Sequence, residues 1–324
     1  MPPRTAILGL TLALGSAACQ ALPPPARFEA RLGVVRAGNP AEAREVARAL
    51  DEFLPAVVTE LPDAHRLVAA GGDVSRSLEV WVQEEPELYV FPHSSAYRDA
   101  DGFFSDRLGR IHLRAGSEDV ERTLVHELVH ASLGPSWRSL PGTLEEGLCD
   151  VVAARLCPRS APRLRAGRLL AAALAIGGLD IEVRFAPATG EPDPAPELCF
   201  VQRILPAGGA VRDLDPLEVF RTRAGISSAA IESDRKKALY GLAFLVAERV
   251  VDRRGLEGLH EIVESTAPGR MAAELLSAAE LSGDPEDWRR ALAEALGPAE
   301  MRELSRRHPG LLLGAPVRDP GPVP

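Results

Sequence analysis

An α+β fold is predicted for this 324-residue chain: a small mixed sheet in an N-terminal lobe, packed on a central helix and followed by a mainly helical lobe. Two observations predict it. Leu78 to Val82 and Arg110 to Leu113 alternate or cluster apolar residues as strands do, and both precede residue 134. Beyond Glu146 apolar residues recur at helical spacing almost throughout. The expected organisation is a leader and tether over 1–22, one domain over 23–308 and a disordered tail over 309–324. The domain divides into an α/β lobe to about 134 and a helical lobe over 135–308.

In chain order, Arg4, the apolar run Ala6 to Leu14 and the small residues Ser16-Ala17-Ala18 read as an export signal. Cleavage after Ala18 would expose Cys19, an arrangement that resembles a bacterial lipoprotein. Ser16 departs from that pattern, so ordinary secretion is the alternative. Leu22-Pro23-Pro24-Pro25 is a stiff tether. Ala41 to Glu60 carries Val46, Leu50, Phe53, Leu54, Val57 and Val58 at helical spacing, interrupted by Pro55. The two strand segments bracket a loop containing Asp101-Gly102-Phe103-Phe104.

Next comes a helix with Ser117 as N-cap, Glu118 and Asp119 in its first turn and Gly134-Pro135 as its stop. Thr143 to Ala153 forms a second helix. Further helical segments are Arg163 to Ile176, Leu217 to Arg223, Ala229 to Val251, Leu256 to Glu264, Met271 to Leu281, Glu286 to Leu296 and Ala299 to Arg306. The Pro-rich stretch Ala186 to Pro196 reads as a surface loop or lid.

A net charge of −9 with no basic block argues against a nucleic-acid partner. Of the four cysteines, Cys149, Cys157 and Cys199 lie in the folded part, and Cys157 with Cys199 is the expected disulfide. Cys149 is then a small buried hydrophobe.

The chemistry concentrates in His126-Glu127-Leu128-Val129-His130. Four residues on an α-helix advance about 400°, so both imidazoles project from one face and can share a metal ion. Glu127 falls beside that ion, where it can accept a proton from water. Val120, Leu124 and Leu128 give the same helix an apolar stripe. Thr143-x-x-Glu146 on the next helix also fits a capping box, the alternative in which Glu146 would bond back to the Thr143 amide and bind no metal. Glu145 could be the metal ligand in its place, although it sits a helical step off the Glu146/Asp150 face; otherwise it is a solvated first-turn acid.

The two helices together resemble the gluzincin metallopeptidases, the class of thermolysin and the aminopeptidases, in which a Glu on a second helix completes a His-His-Glu zinc site. Glu146-Gly147-Leu148 is similar to the Glu-Gly-(Phe/Leu)-Ala segment of the aminopeptidases, and Glu146 to Asp150 matches the Glu-x-x-x-Asp spacing of thermolysin-like enzymes. The resemblance implies His126, His130 and Glu146 as zinc ligands and Asp150 as the carboxylate that orients a ligating His. It implies Tyr240 as the group that meets the oxyanion, since Tyr240-Gly241-Leu242-Ala243 resembles the helix opened by Tyr-x-x-Gly. Ala243 stands where that family has Gly. His260 is the alternative, and Leu256, Leu259, His260 and Val263 also read as a packing face. His65, His93, His112 and His308 have no partner spacing. The strand before the zinc helix, Ile111-His112-Leu113, would be the sheet edge that pairs with extended substrate, or an ordinary edge.

The expectation is an exported, monomeric, Zn²⁺-dependent peptidase of gluzincin-like fold, with Glu127 as general base and a peptide or protein as substrate. Two nitrogens and one carboxylate favour Zn²⁺ over Mg²⁺ or Ca²⁺. The alternatives are a zinc-stabilised envelope scaffold without catalysis and a hydrolase of a non-peptide amide or ester. The Gly-x-Met-Glu-Asn segment of the aminopeptidases is absent, so aminopeptidase action is not implied.

Overall fold

A computed structural model describes residues 24–64, 78–84, 101–105, 108–185, 198–204, 214–221, 233–307 and 312–314. The export signal with Cys19, the loop 186–196 and His65, His93 and His308 lie outside the described residues.

Strands β1 (Ala26–Glu29), β2 (Gly33–Ala37), β3 (Leu78–Gln83), β4 (Gly102–Ser105) and β5 (Arg110–Arg114) form a mixed sheet in the order β1-β2-β3-β5-β4. Strand β3 is parallel to both β2 and β5, whereas β1 and β4 run antiparallel to β2 and β5. Alternation along the strands sends Val35, Val80, Val82, Ile111 and Leu113 to one buried face. Helix α1 (Pro40–Glu60) and helix α2 (Val120–Ser132) pack there.

The order corrects two expectations. Gly102 to Ser105 is a strand and not a loop, with Phe103 opposite His112 and Phe104 opposite Ile111. Strand β5 is therefore interior, and among the described residues β4 is the sheet edge beside α2. Hydrophobic Phe103-Phe104 pairs with a strand whose register Leu113 and Ile111 already fix, and that tertiary pairing overrides the Gly-containing turn signal.

Helix α1 runs unbroken through Pro55, whose carbonyl accepts from Thr59 Oγ1 at 2.8 Å. The apolar residues of that face, Val46, Leu50, Phe53, Leu54 and Val57, are all buried, and their packing outweighs the one hydrogen bond a proline removes. Its N-cap Asn39 accepts from the Ala41 and Glu42 amides at 3.0 and 2.9 Å.

The helical lobe comprises α3 (Gly142–Leu156), α4 (Ala161–Ala175), α5 (Ser233–Ser265), α6 (Met271–Ala279), α7 (Pro285–Ala295) and α8 (Pro298–Arg307). The segment read as helix over Leu217 to Arg223 is a 3-10 turn, Pro216–Phe220. Ala229 to Val251 and Leu256 to Glu264 merge into α5, which breaks only at Gly255 with φ 72°.

A second sheet was not legible in the pattern: β6 (Leu179–Phe185), β7 (Leu198–Ile204) and β8 (Leu312–Gly314) pair antiparallel in that order. Strand β8 lies in the stretch expected to be a disordered tail. Cys157 is a free thiol, so the expected bridge to Cys199 is not formed. Burial pushes the Cys157 thiol up to about 11.

Buried apolar residues from Val35 to Leu304 form one connected core across both lobes. Two glycines let α5 sit close to the rest. A Cβ on Gly147 would overlap the Ala243 carbonyl, and a Cβ on Gly241 would overlap the Arg168 carbonyl. Among the described residues, no helix is long and apolar enough to cross a membrane.

Candidate metal centre

Helix α2 begins at Val120 after Asp119, later than the predicted Ser117 cap, and no side chain caps it. Its C-terminal half carries His126, Glu127 and His130 toward α3, with the two imidazole centroids 5.0 Å apart. Leu124, Leu128 and Val125 are fully packed behind them, which fixes the rotation of the helix. The connector Gly134 to Pro141 contains a 3-10 turn, Pro135–Ser139, and Pro141 occupies the N-cap of α3. Glu146 does not close a capping box. It turns inward.

Helix α3 meets the imidazoles with four side chains on about two turns. Nδ1 of His126 donates to Asp150 Oδ1 at 2.9 Å, and Nδ1 of His130 donates to Glu145 Oε1 at 2.8 Å. Both Nδ1 atoms are thereby occupied, so both Nε2 atoms are left to face inward. They converge on one oxygen, Glu146 Oε2, at 3.2 Å from His126 and 3.6 Å from His130. Zinc ligands at ~2.0–2.1 Å in tetrahedral array stand about 3.3 Å from each other. The two separations from Glu146 Oε2 are close to that spacing, and the donor set is two imidazoles and one carboxylate.

Cys149 competes for the third position. Its sulfur hydrogen-bonds His130, and His126, His130 and Cys149 offer ligand atoms within 4.8 Å of one another. Glu146 is the better fit, because it touches both free Nε2 atoms and is already ionised. Burial opposes its charge, but His130 and His126 hold its carboxyl well below the usual range. Burial pushes the Cys149 thiol up to about 12. The side chains of His130 and Glu146 keep 16% and 22% of their surface exposed.

Burial disfavours charge on both imidazoles, yet their carboxylate neighbours overcome it. Asp150, with Glu146 and Glu127, carries His126 up to about 9; Cys149, Glu146 and Glu145 carry His130 well above its usual value. Four carboxylates, Glu146, Glu127, Glu145 and Asp150, thus lie close to the two imidazoles, and their negative charge favours a cation there.

Glu127 is 5% exposed and bonds neither imidazole; its carboxylate accepts from the backbone N–H of Phe104 on the edge strand. Burial raises its pKa against the opposing pull of His126 and His130. Tyr240 lies two turns inside α5, not at its start, with its hydroxyl beside Glu146. Burial, then Glu146, lifts its pKa well above 10.0, so the phenol stays protonated. Arg168 on α4 donates from Nε to Asp150 Oδ2 at 2.5 Å, and burial's upward push on Asp150 is outweighed, giving about 2.

The structure thus brings His126, Glu127, His130, Glu146, Asp150 and Tyr240 into one cluster. It keeps His260 out: Nε2 of His260 lies 2.8 Å from Ser136 Oγ, which donates to Asp63, and its ring packs on Trp137 at 5.0 Å. The serine proton is committed to Asp63, so this Ser-His-Asp set pins the connector and offers no nucleophile. His112 is buried against Phe103 at 4.8 Å with Nδ1 2.8 Å from Gln83 Oε1, and burial holds it neutral, down to about 3.

Nothing in the sequence hints at Arg168; Glu145 is legible there as a ligand or first-turn acid and Cys149 as a buried residue, which it is, but neither reads as a partner of His130. Glu145 and Cys149 are one turn apart on α3, a spacing that signalled a shared face. Searches of protein-family models, of characterised proteins and of solved structures gave no match to this chain.

Proposed function

We propose that this protein is a zinc-dependent hydrolase, acting as a peptidase of gluzincin type. The observation that carries the reading is the convergence of both Nε2 atoms on Glu146 Oε2 at 3.2 and 3.6 Å, with each Nδ1 anchored on its own carboxylate. His126, His130 and Glu146 would hold the ion. Zinc bound there would supply Lewis acidity, lowering the pKa of water toward ~7 and polarising a carbonyl.

Glu127 accepts the proton of the attacking water and returns it to the leaving nitrogen. Its burial and its single backbone donor, Phe104, leave the carboxylate free for that transfer. Tyr240 shifts its O–H from Glu146 to the oxygen on which charge develops, a contact worth ~3–4 kcal/mol where such donors have been deleted. Strand β4, the edge beside Glu127, is the segment along which an extended peptide would lie, in place of the interior β5. The leader residues add export, through a lipid on Cys19 or by free secretion.

A second reading is a zinc-stabilised scaffold without catalysis. Cys149 favours it, since a thiolate within 4.8 Å of both imidazole donors would close the fourth position. The two readings separate on four measurements. For a hydrolase, Glu127→Gln retains zinc and loses cleavage of a peptide library, Glu146→Ala loses zinc, Cys149→Ser keeps both, and chelator abolishes cleavage. Retained cleavage by Glu127→Gln, or zinc lost with Cys149→Ser and kept with Glu146→Ala, overturns the hydrolase reading.

A further inference from the structure

Arg168 sits on α4, one helix behind the ligand-bearing pair, and touches the site at two points. Its Nε donates to Asp150 Oδ2 at 2.5 Å, while Oδ1 of the same carboxylate accepts from His126 Nδ1 at 2.9 Å. Asp150 is 0% exposed, so these two bonds hold a carboxylate that water does not reach. The guanidinium also lies 5.2 Å from the centre of the Tyr240 ring. The next residue, Gly241, is packed on the Arg168 carbonyl. One side chain therefore joins the group that orients His126 to the ring whose hydroxyl reaches Glu146.

We propose that Arg168 is a positioning residue of the metal centre, clamping Asp150 behind His126 and seating the Tyr240 ring, so that ion affinity and turnover both depend on it. The inference rests on the metallohydrolase reading above. Its basis is geometric: a carboxylate with one oxygen on a ligating imidazole swings unless the other oxygen is fixed, and in this interior Arg168 fixes it. The Arg168 cation also balances one of four acids, Glu127, Glu145, Glu146 and Asp150, gathered about two imidazoles. An ordinary core ion pair would stabilise the fold without reaching the ion.

The test is a double-mutant cycle on the full chain, with zinc affinity read by chelator competition and folding by thermal melt. Arg168→Gln should weaken zinc ~10–100-fold, the cost of losing such outer partners. In an Asp150→Asn background the same change should cost under about threefold, because the carboxylate through which Arg168 acts is already gone. Arg168→Lys should recover part of the affinity, and kcat should fall in Arg168→Gln with KM held. If Arg168→Gln does not fold, the Arg168→Lys and Asp150→Asn cycle gives the same readout. Unchanged zinc affinity in folded Arg168→Gln, or equal losses in both backgrounds, overturns the inference. Wild-type protein that binds no zinc overturns the hydrolase reading itself, and the two failures are thus distinguishable.

Discussion

Nδ1 of His130 donates to Oε1 of Glu145 at 2.8 Å, the counterpart of the bond from His126 to Asp150. Each imidazole thereby has its tautomer set by a carboxylate from the same helix α3. Glu145→Gln and Asp150→Asn should each lower zinc affinity ~10–100-fold with the fold intact, measured by competition with a chromogenic chelator. Because Asp150 is wholly buried and Glu145 keeps 29% of its side chain exposed, the loss should be larger for Asp150.

Tyr240→Phe removes a hydroxyl that rests on Glu146 and no ligand atom. Zinc content should stay at the wild-type level while kcat on a cleaved peptide drops ~10²–10³-fold, in the range found for deleted oxyanion donors. A Tyr240→Phe enzyme at full kcat would return the tyrosine to a packing role.

Gly147→Ala places a methyl into the Ala243 carbonyl, and backbone cannot step aside as a side chain would. Helix α5 must retreat from α3, carrying Tyr240 with it. A loss of about 1–3 kcal/mol is expected, seen as a lowered midpoint in urea, together with weakened zinc binding. Gly241→Ala should act alike through the Arg168 carbonyl. Ala at Gly167, where a Cβ meets nothing, should cost little and serves as control.

A pH effect is expected far from the candidate metal centre. Arg165 is shared by Glu248 and Glu300, both buried, and also donates to the Ala295 carbonyl at 3.3 Å. Burial, against the pull of Arg165 and with Asp252 and Glu300 adding to it, lifts Glu248 from 4.5 to about 7. Between those values the folded protein binds a proton that the unfolded chain has released. The stability from this group is complete below pH 4.5 and is lost as pH rises through 7. The stability difference between wild type and Glu248→Gln should change by up to about 3 kcal/mol from pH 5 to 8, read from urea midpoints. A difference that stays flat over that range contradicts the assignment.

The two helices of the candidate site were legible as helices because their information is local. His126 and His130 share a face by helical geometry alone, whereas Glu146 and Asp150 are expected from the resemblance of the next helix to the gluzincin pattern. Strand β4 was not, since Gly102 signals a turn and only pairing with β5 across the sheet makes a strand of Phe103 and Phe104. Strand β8 escaped for the same reason: three residues near the C-terminus, among prolines, take their conformation from β7. Arg168 illustrates the limit most plainly. Its partner Asp150 is 18 residues away on another helix, and no periodicity connects a guanidinium to a carboxylate. The Ser117 cap failed by a small shift, because helix starts depend on backbone groups that compete for the same amides.

The Asp63, Ser136 and His260 relay ties the short connector between the two metal helices to the end of α1 on one side and to α5 on the other. Trp137 adds a bond from Nε1 to the Pro62 carbonyl at 2.9 Å. The distance along the chain from His130 to Glu146 is thus a ruler clamped at its midpoint. Lengthening it by even one residue would have to break the clamp before it could move a ligand, so grafting this pair of helices into another scaffold requires carrying the three clamping side chains along.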